Sequence, residues 1–286
     1  MSYLERIQKC HQYDRSKYLD FMIDDEVMGL TEHSFAEQLA RWSDVFQRTD
    51  KQIILNPELQ TFDERTQAVA PIMEALHKEG VIDTWVDEPY AVSHAFEEAP
   101  RMAVERAAAS FLGIRGYGVH INGLVKKADK IYCWVAIRAE DKPFWPGKLD
   151  QMVAGGQGIG IGLMENVIKE SAEEADIPEE LASQAQARGC LHYCTDSSRG
   201  IRIDTLFNYD LWLPEDFTPV NTDGEVDGFV LMSLEKMAEV IDTTDNFKQN
   251  CNLVNIDLLI RSGIIHHSHP DFKEIIALLY APAMTF

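Results

Sequence analysis

Residues 155–174 read GGQGIGIGLMENVIKESAEE, a glycine-rich loop that runs directly into a helical pattern. Near the end of that pattern, Glu170, Glu173 and Glu174 are spaced three and four residues apart, so their carboxylates are expected on one helical face. Like charges at this spacing repel, and Lys169 offsets only part of the repulsion. A divalent cation would turn the repulsion into coordination, because hard cations prefer oxygen ligands. Spacing alone is equally compatible with a solvated acidic face.

The glycine run does not match the common nucleotide-binding loops. It lacks the Gly-Lys-Ser/Thr ending of a phosphate-binding loop, and a dinucleotide site would require an open parallel βαβ unit. Residues 118–123 and 131–137 instead predict two strands joined by a polar hairpin-like turn. The interpretation that remains is a flexible loop whose backbone can approach a ligand closely.

Composition predicts a protein of two domains that can bury an ordinary hydrophobic core. The chain has 286 residues, of which 45% are hydrophobic and 26% charged. Its net charge of −21 argues against a nucleic-acid partner, which would require a basic surface. If the substrate carries phosphate, a divalent cation or a local basic pocket must offset this negative field.

The chain has neither a membrane-spanning apolar run nor the pattern of a signal peptide, so we expect no membrane partner and a cytoplasmic location. The five scattered cysteines are better explained as buried thiols than as metal ligands, including the pair Cys190 and Cys194. A small histidine cluster lacks a carboxylate partner at ligand spacing, which weakens a metal site there. It comprises His266, His267 and His269.

A change of composition after Gly113 divides the chain into a small α+β domain, residues 1–112, and a second domain, residues 113–286. The periodicity predicts helices over 35–46, 63–78, 101–112 and 163–175, with another beginning near Leu234. It predicts strands over 85–92, 118–123, 131–137, 200–213 and 228–233.

The stretch from Gly155 to Ile177 resembles the Nudix box, in which a glycine loop leads into a helix ending in Arg-Glu-x-x-Glu-Glu-x-Gly and an aliphatic residue. Lys169 stands where the box has arginine, and Asp176 where it has glycine. The glutamate usually found eight residues before the basic position is Ile161 here, and the loop is one residue longer. The resemblance extends to the thiamine-pyrophosphokinase-related Nudix subgroup. The segments that carry it are 85–92, 118–123, 142–156, 209–214 and 223–226.

This resemblance implies an α/β fold, a Nudix α/β/α sandwich with a mixed sheet, preceded by a small α+β domain of unknown role. It implies hydrolysis of an organic diphosphate to its monophosphate and phosphate. In this subgroup the expected substrates are related to thiamine diphosphate, including oxidised forms such as oxy- and oxothiamine diphosphate. One alternative is a nucleoside-diphosphate-linked substrate. Another is a non-catalytic ligand-sensing module, which the departure at Ile161 favours.

The resemblance also implies roles for individual residues. Mg²⁺ or Mn²⁺ would be held by Glu170, Glu173, Glu174 and Glu225, one of which would act as general base. Lys169 would orient Glu170 or Glu173.

Further residues are expected on the substrate side of the site. They are Arg138, Lys142, Gly155 and Gly156, although surface solubility explains the arginine and lysine equally well. Arg199 and Arg202 share this ambiguity. Tyr117 and Trp145 are candidates for stacking on a heterocycle, but core packing is the simpler explanation for them. The sequence leaves the oligomeric state open.

Overall fold

A computed structural model describes residues 2–141, 144–222 and 224–286 of the chain. Lys142, expected on the substrate side, lies outside these ranges, as does Asp223 in the 223–226 motif. Within them no helix is long and apolar enough to cross a bilayer.

The N-terminal part of the chain forms a mixed four-stranded sheet with helices against it. The chain begins with α1 (Tyr3–Lys9), which packs elsewhere, and the elements of this unit follow in order as β1 (Tyr18–Ile23), β2 (Glu26–Glu32), α2 (His33–Leu39), β3 (Phe46–Arg48), β4 (Gln52–Leu55) and α3 (Phe62–Lys78). The strand order is β2-β1-β4-β3, with β1 and β4 parallel and the other pairs antiparallel. Phe21, Leu39, Phe46 and Met73 are buried together in its core.

A short two-stranded sheet connects this unit to the rest of the molecule. It consists of β5 (Pro89–Val92) and β6 (Met102–Glu105), which pair antiparallel. A single 3-10 turn over Arg106–Ala108 and the helix α4 (Ala109–Leu112) follow, and α4 ends at Gly113 in the left-handed conformation. This connection leads directly into the next sheet, on which α4 also packs.

The second sheet has seven strands and is also mixed. Its elements in chain order are β7 (Arg115–Lys127), β8 (Lys130–Arg138), β9 (Leu149–Gln151), β10 (Val153–Gly156), α5 (Leu163–Ala175), α6 (Glu179–Ala182), β11 (Gln186–Ser197), β12 (Gly200–Trp212), β13 (Val226–Ser233), α7 (Leu234–Thr243), α8 (Cys251–Arg261) and α9 (Phe272–Leu279). The main order is β11-β12-β7-β8-β13, while β10 pairs with β7 and β9 with β8. Only β7 and β12 pair in parallel among these described strands.

Helices cover both faces of this sheet. On one face Val167 and Ala175 of α5 pack against Val119 and Ile121 of β7. On the other face α7, α8 and α9 pack against β8, β11 and β12. The α/β/α sandwich with a mixed sheet is therefore confirmed. The first helix, α1, also packs on this second face, where Arg6 Nε donates a hydrogen bond to the carbonyl of Ile241 at 3.1 Å.

Several sequence predictions hold closely, and others were wrong for identifiable reasons. The helix at 163–175 begins and ends where expected, and the helix expected near Leu234 begins at that residue. The helix expected over 35–46 ends at Leu39, since Phe46 enters β3. Residues 102–105, expected to be helical, form β6 because their buried side chains pair across to β5. The strand expected from residue 85 begins only at Pro89. Strand β11 was missed altogether, because its first five residues are exposed and a register shift interrupts its pairing.

We expect Gly113→Ala to be far more destabilising than Gly80→Ala. Both glycines have positive φ, 62° and 76°, a conformation that costs an alanine about 1 kcal/mol. At Gly113 a Cβ would also lie 1.9 Å from the carbonyl oxygen of Leu30, whereas nothing lies within 4 Å at Gly80. Urea unfolding should show at least about 3 kcal/mol more loss at position 113. Equal losses would contradict the close approach of the backbones at this junction.

Candidate active site

Two glycines before α5 allow side chains of the candidate site to pack directly against the backbone. Gly155 and Gly156 belong to β10 and pair with Val119 and Gly118 of β7. A Cβ on Gly155 would lie 2.1 Å from the carboxyl carbon of Glu170. The absence of a side chain at this position therefore makes room for the Glu170 carboxylate.

Gly156 makes room in the same way for residues from the N-terminal domain. A Cβ at this position would lie 2.0 Å from the hydroxyl of Tyr90 and 2.9 Å from Cζ of Arg106. The loop does allow close approach, as expected, but the groups that approach include two from outside the second domain.

Of the three glutamates near its end, helix α5 directs two inward and one outward. Glu170 and Glu174, one turn apart, are each only 9% exposed, and Glu174 Oε2 accepts a hydrogen bond from the Ala154 N–H at 2.9 Å. The side chain of Glu173 is 52% exposed. Lys169 Nζ lies 3.0 Å from both Glu170 Oε1 and Glu173 Oε2. The structure thus brings Glu170 and Glu174 together, and leaves Glu173 at the rim beside Lys169.

The inward carboxyl groups sit where negative charge is costly. Burial raises the pKa of Glu170, and Glu173 adds to this, while Lys169 and Arg106 oppose it. Burial raises the pKa of Glu174 well above its usual value, and the carboxylates of Glu170, Asp150 and Glu225 raise it further. A bound cation would relieve the repulsion among these carboxylates.

The donor chemistry fits a divalent cation. Glu170, Glu174 and Glu225 supply carboxylate oxygens, the ligands that Mg²⁺ and Mn²⁺ prefer, in one region of the molecule. Within the described ranges, however, no three His, Cys, Asp or Glu side chains are already spaced as a metal cage. Glu225 lies one residue before β13, where its carbonyl accepts a hydrogen bond from the Ala139 N–H at 3.2 Å.

A cleft of about 370 Å³ opens between the N-terminal domain and the second sheet, and we call it the charged cleft. Glu225, Gly155 and Gly156 line it together with five basic side chains. These are Arg106, Arg138, Arg199, Arg202 and Lys248. In a chain of net charge −21 this is a local concentration of positive charge. It meets the need for a basic pocket that the composition raised for a phosphate substrate.

Two of the basic residues are tied to one buried acid. Asp150 Oδ2 lies 2.9 Å from Arg138 Nη1 and 3.0 Å from Lys248 Nζ. Burial by itself would raise the pKa of Asp150, but Lys248 and Arg138 together hold it well below its usual value. His120 nearby has a pKa lowered to about 4, because it is buried and close to Lys248, so its imidazole is neutral at physiological pH.

Two further arginines flank an aromatic ring at the outer end of the cleft. Cζ of Arg199 lies 3.9 Å from the centroid of the Phe144 ring, and Cζ of Arg202 lies 5.9 Å from it. Arg199 Nε is 2.6 Å from Asp83 Oδ1, so a residue of the N-terminal domain also contacts this end. The structure places both arginines, ambiguous in the sequence, in the cleft.

Sequence reasoning missed Arg106, His120 and Lys248, which reach the cleft from distant parts of the chain without a motif. The one sequence signal for Arg106 is the short apolar run just before it, residues 102–104, which is buried in β6. Tyr117 stacks on Phe207 at 6.2 Å, consistent with core packing, although it also borders the cleft.

Other candidates from the sequence lie elsewhere or differ in burial. Trp145 lines an adjoining pocket. The three histidines lie in the segment between α8 and α9. Cys190 is exposed, contrary to the expectation of buried thiols, whereas the other four cysteines are buried.

We expect Glu174→Gln to stabilise the metal-free protein at pH 8. When the pKa of a carboxyl is higher in the folded than in the unfolded state, the folded state becomes less stable as the pH rises from the unfolded-state pKa, about 4.3, towards the folded-state pKa. Removing the charge should therefore add at least about 1 kcal/mol at pH 8 and nothing near pH 4. Denaturation at both pH values measures this, with the exposed Glu173→Gln as control, for which a change within about 0.5 kcal/mol is expected. A loss of stability at pH 8 would contradict the burial of a costly charge at Glu174.

Comparison with known proteins places this geometry in a family. Residues 2–116 match the model of a domain of unknown function, DUF4743. Nudix hydrolase 24, chloroplastic, from Arabidopsis thaliana is 36% identical, over 96% of this chain and 76% of its own length. Nudix hydrolase 20, chloroplastic, from the same plant is 38% identical over the same shares.

A solved structure shows a more distant likeness. The NUDIX domain of Shewanella oneidensis NrtR, complexed with ADP ribose, is 11% identical with a TM-score of 0.40, over 51% of this chain and 87% of that one. The identity to the two plant proteins, sustained over nearly the whole chain, is what establishes the relationship. The chain belongs to the Nudix hydrolases, a family that cleaves diphosphate-containing substrates and generally uses divalent metal ions.

Proposed function

We propose that this hydrolase converts an organic diphosphate related to thiamine diphosphate to its monophosphate and phosphate. Oxidised forms such as oxy- and oxothiamine diphosphate are included in the proposal. The observation that carries the diphosphate part is the juxtaposition of the buried pair Glu170 and Glu174 with the basic side chains of the charged cleft. The thiamine part is supported by the resemblance of 118–123, 142–156 and 209–214 to one Nudix subgroup.

Glu170, Glu174 and Glu225 would hold Mg²⁺ or Mn²⁺ in this reaction, with Glu173 at the rim. When bound, such an ion offsets the charge on phosphoryl oxygens and acidifies water. The protein itself would hold these acidic side chains in position and keep other charged groups away from the ion. Lys169, within 3.0 Å of Glu170 Oε1, fixes the orientation of that carboxylate.

Proton transfer would be the task of one inward glutamate. A general base works best when its pKa lies near the operating pH, and burial moves the pKa of Glu174 and of Glu170 in that direction. Either carboxylate could take the proton from the attacking water. Arg138, Arg199, Arg202 and Lys248 would face the phosphate oxygens, since guanidinium and ammonium groups form strong charge-assisted hydrogen bonds with phosphate. Lys142 keeps the same proposed role.

The substrate class can be tested by direct competition. Purified protein with Mg²⁺ should hydrolyse oxothiamine diphosphate or thiamine diphosphate with a higher kcat/KM than ADP, UDP or ADP-ribose. Release of phosphate, followed together with formation of the organic monophosphate, measures this. Equal or greater turnover of the nucleotides would remove the thiamine proposal in favour of a nucleoside-diphosphate-linked substrate, and would leave diphosphate hydrolysis intact.

The inward glutamates should matter far more than the outward one. We expect Glu170→Gln, Glu174→Gln and Glu225→Gln each to lower kcat by roughly 10²–10⁴-fold, the range for loss of a proton-transfer or charge-stabilising group. Glu173→Gln should stay within about tenfold, because its side chain points to solvent. Steady-state kinetics over a Mg²⁺ titration gives the comparison, with circular dichroism to confirm folding. If Glu173→Gln were the most damaging of the four, the assignment of the inward pair would be wrong.

A further inference from the structure

The N-terminal domain reaches into the charged cleft through Arg106. This residue opens the 3-10 turn after β6, and its backbone N–H donates to the carbonyl of Glu88 at 2.9 Å. The turn is capped by the side chain of Glu105, which accepts from the Ala107 N–H at 3.3 Å. Because the backbone is fixed in this way, the side chain leaves the N-terminal domain in a defined direction, towards Gly156 of β10.

The guanidinium group is held in place while part of it stays accessible. Arg106 Nη1 donates to Glu88 Oε2 at 2.8 Å, and Cζ lies 5.7 Å from the centroid of the Tyr90 ring. Its side chain nevertheless remains 42% exposed, and it lines the cleft. A preorganised guanidinium loses little conformational entropy when an anion binds.

Arg106 also lies beside the reacting region. A Cβ on Gly156 would come 2.9 Å from its Cζ, and Gly155, the next residue along β10, supports the Glu170 carboxylate. Arg138 and Lys248 pair with Asp150, whose side chain is 6% exposed, whereas Glu88, the partner of Arg106, is 26% exposed and can be displaced more easily.

From this geometry we propose that Arg106 is a substrate-binding residue that the N-terminal domain contributes to the Nudix site. Its guanidinium would bind phosphate oxygens of the substrate's diphosphate beside the carboxylate pair. The domain of unknown function thereby becomes a structural part of the active site. This inference rests on the proposed diphosphate hydrolysis.

The chain offers a closely matched control on the same domain. Arg41 donates to Glu79 at 2.6 Å and 2.7 Å, its Cζ lies 4.6 Å from the Trp42 ring, and its side chain is 44% exposed. It therefore repeats the carboxylate, the aromatic neighbour and the exposure of Arg106, on a surface outside the cleft. Arg41→Gln removes the same kind of ion pair without touching the site.

The experiment compares full-length wild type with Arg106→Gln, Arg106→Lys, Glu88→Gln and Arg41→Gln. The probe is methylenediphosphonate, a diphosphate analogue that cannot be hydrolysed, titrated calorimetrically with Mg²⁺ present. Losing a charge-assisted hydrogen bond should weaken binding by roughly tenfold to hundredfold in Arg106→Gln. Arg106→Lys should recover part of the affinity, and Arg41→Gln should match wild type. Steady-state KM for the diphosphate substrate should rise in parallel.

The Glu88→Gln variant distinguishes binding of the diphosphate by Arg106 from a purely structural role of the Arg106–Glu88 ion pair. If Arg106 binds the diphosphate, releasing it from Glu88 leaves affinity unchanged or raises it. If Arg106 serves only to anchor Glu88, then Glu88→Gln will weaken binding as Arg106→Gln does, and the inference falls. The inference is also wrong if Arg106→Gln binds the probe as tightly as Arg41→Gln does, provided that the wild type binds the probe and hydrolyses diphosphates. A wild type that neither binds the probe nor hydrolyses any diphosphate would instead overturn the proposed function itself.

Discussion

The site depends on a carboxylate that lies directly against the glycine end of strand β10. Glu170 occupies the volume that a Cβ on Gly155 would fill, and Glu174, one turn later, is tied to the same strand through the Ala154 N–H. Two negative charges are thereby buried close together on the edge of a cleft. Such an arrangement costs stability unless a counter-charge is supplied. The five cations of the charged cleft, gathered in an otherwise strongly acidic protein, are the complementary half of the same arrangement.

The parts of the site that the sequence predicted are those encoded within one short segment of the chain. Helix α5 and its inward glutamates were foreseen because one segment contains the glycine loop, the helical period and the acid spacing. The outward direction of Glu173 was not, since a turn of helix places three such residues on a broad face and only packing decides which are buried. The sandwich with a mixed sheet came from the resemblance and from clear strand patterns in β7, β8 and β12.

The basic side of the site was only partly foreseen, for a physical reason. Arg106, His120 and Lys248 meet through the tertiary fold across about half of the chain, and no short-range spacing encodes such a meeting. Arg106 was further hidden because residues 101–112 look helical, whereas pairing of β6 with β5 makes the first part extended. Strand β11 was obscured by its exposed start, where alternation of buried and exposed residues is lost.

The segment between α3 and β5 joins two sides of the cleft. Asp83 lies 2.6 Å from Arg199, and Glu88 lies 2.8 Å from Arg106, so one stretch of six residues supplies an acid to each arginine. An incoming anion must displace both carboxylates to gain full access to both guanidinium groups. A ligand with a single negative charge can replace only one of these contacts, whereas a ligand with several charges can replace both. For a diphosphate substrate of this site, the two acids would therefore act as internal competitors that favour a ligand with several negative charges.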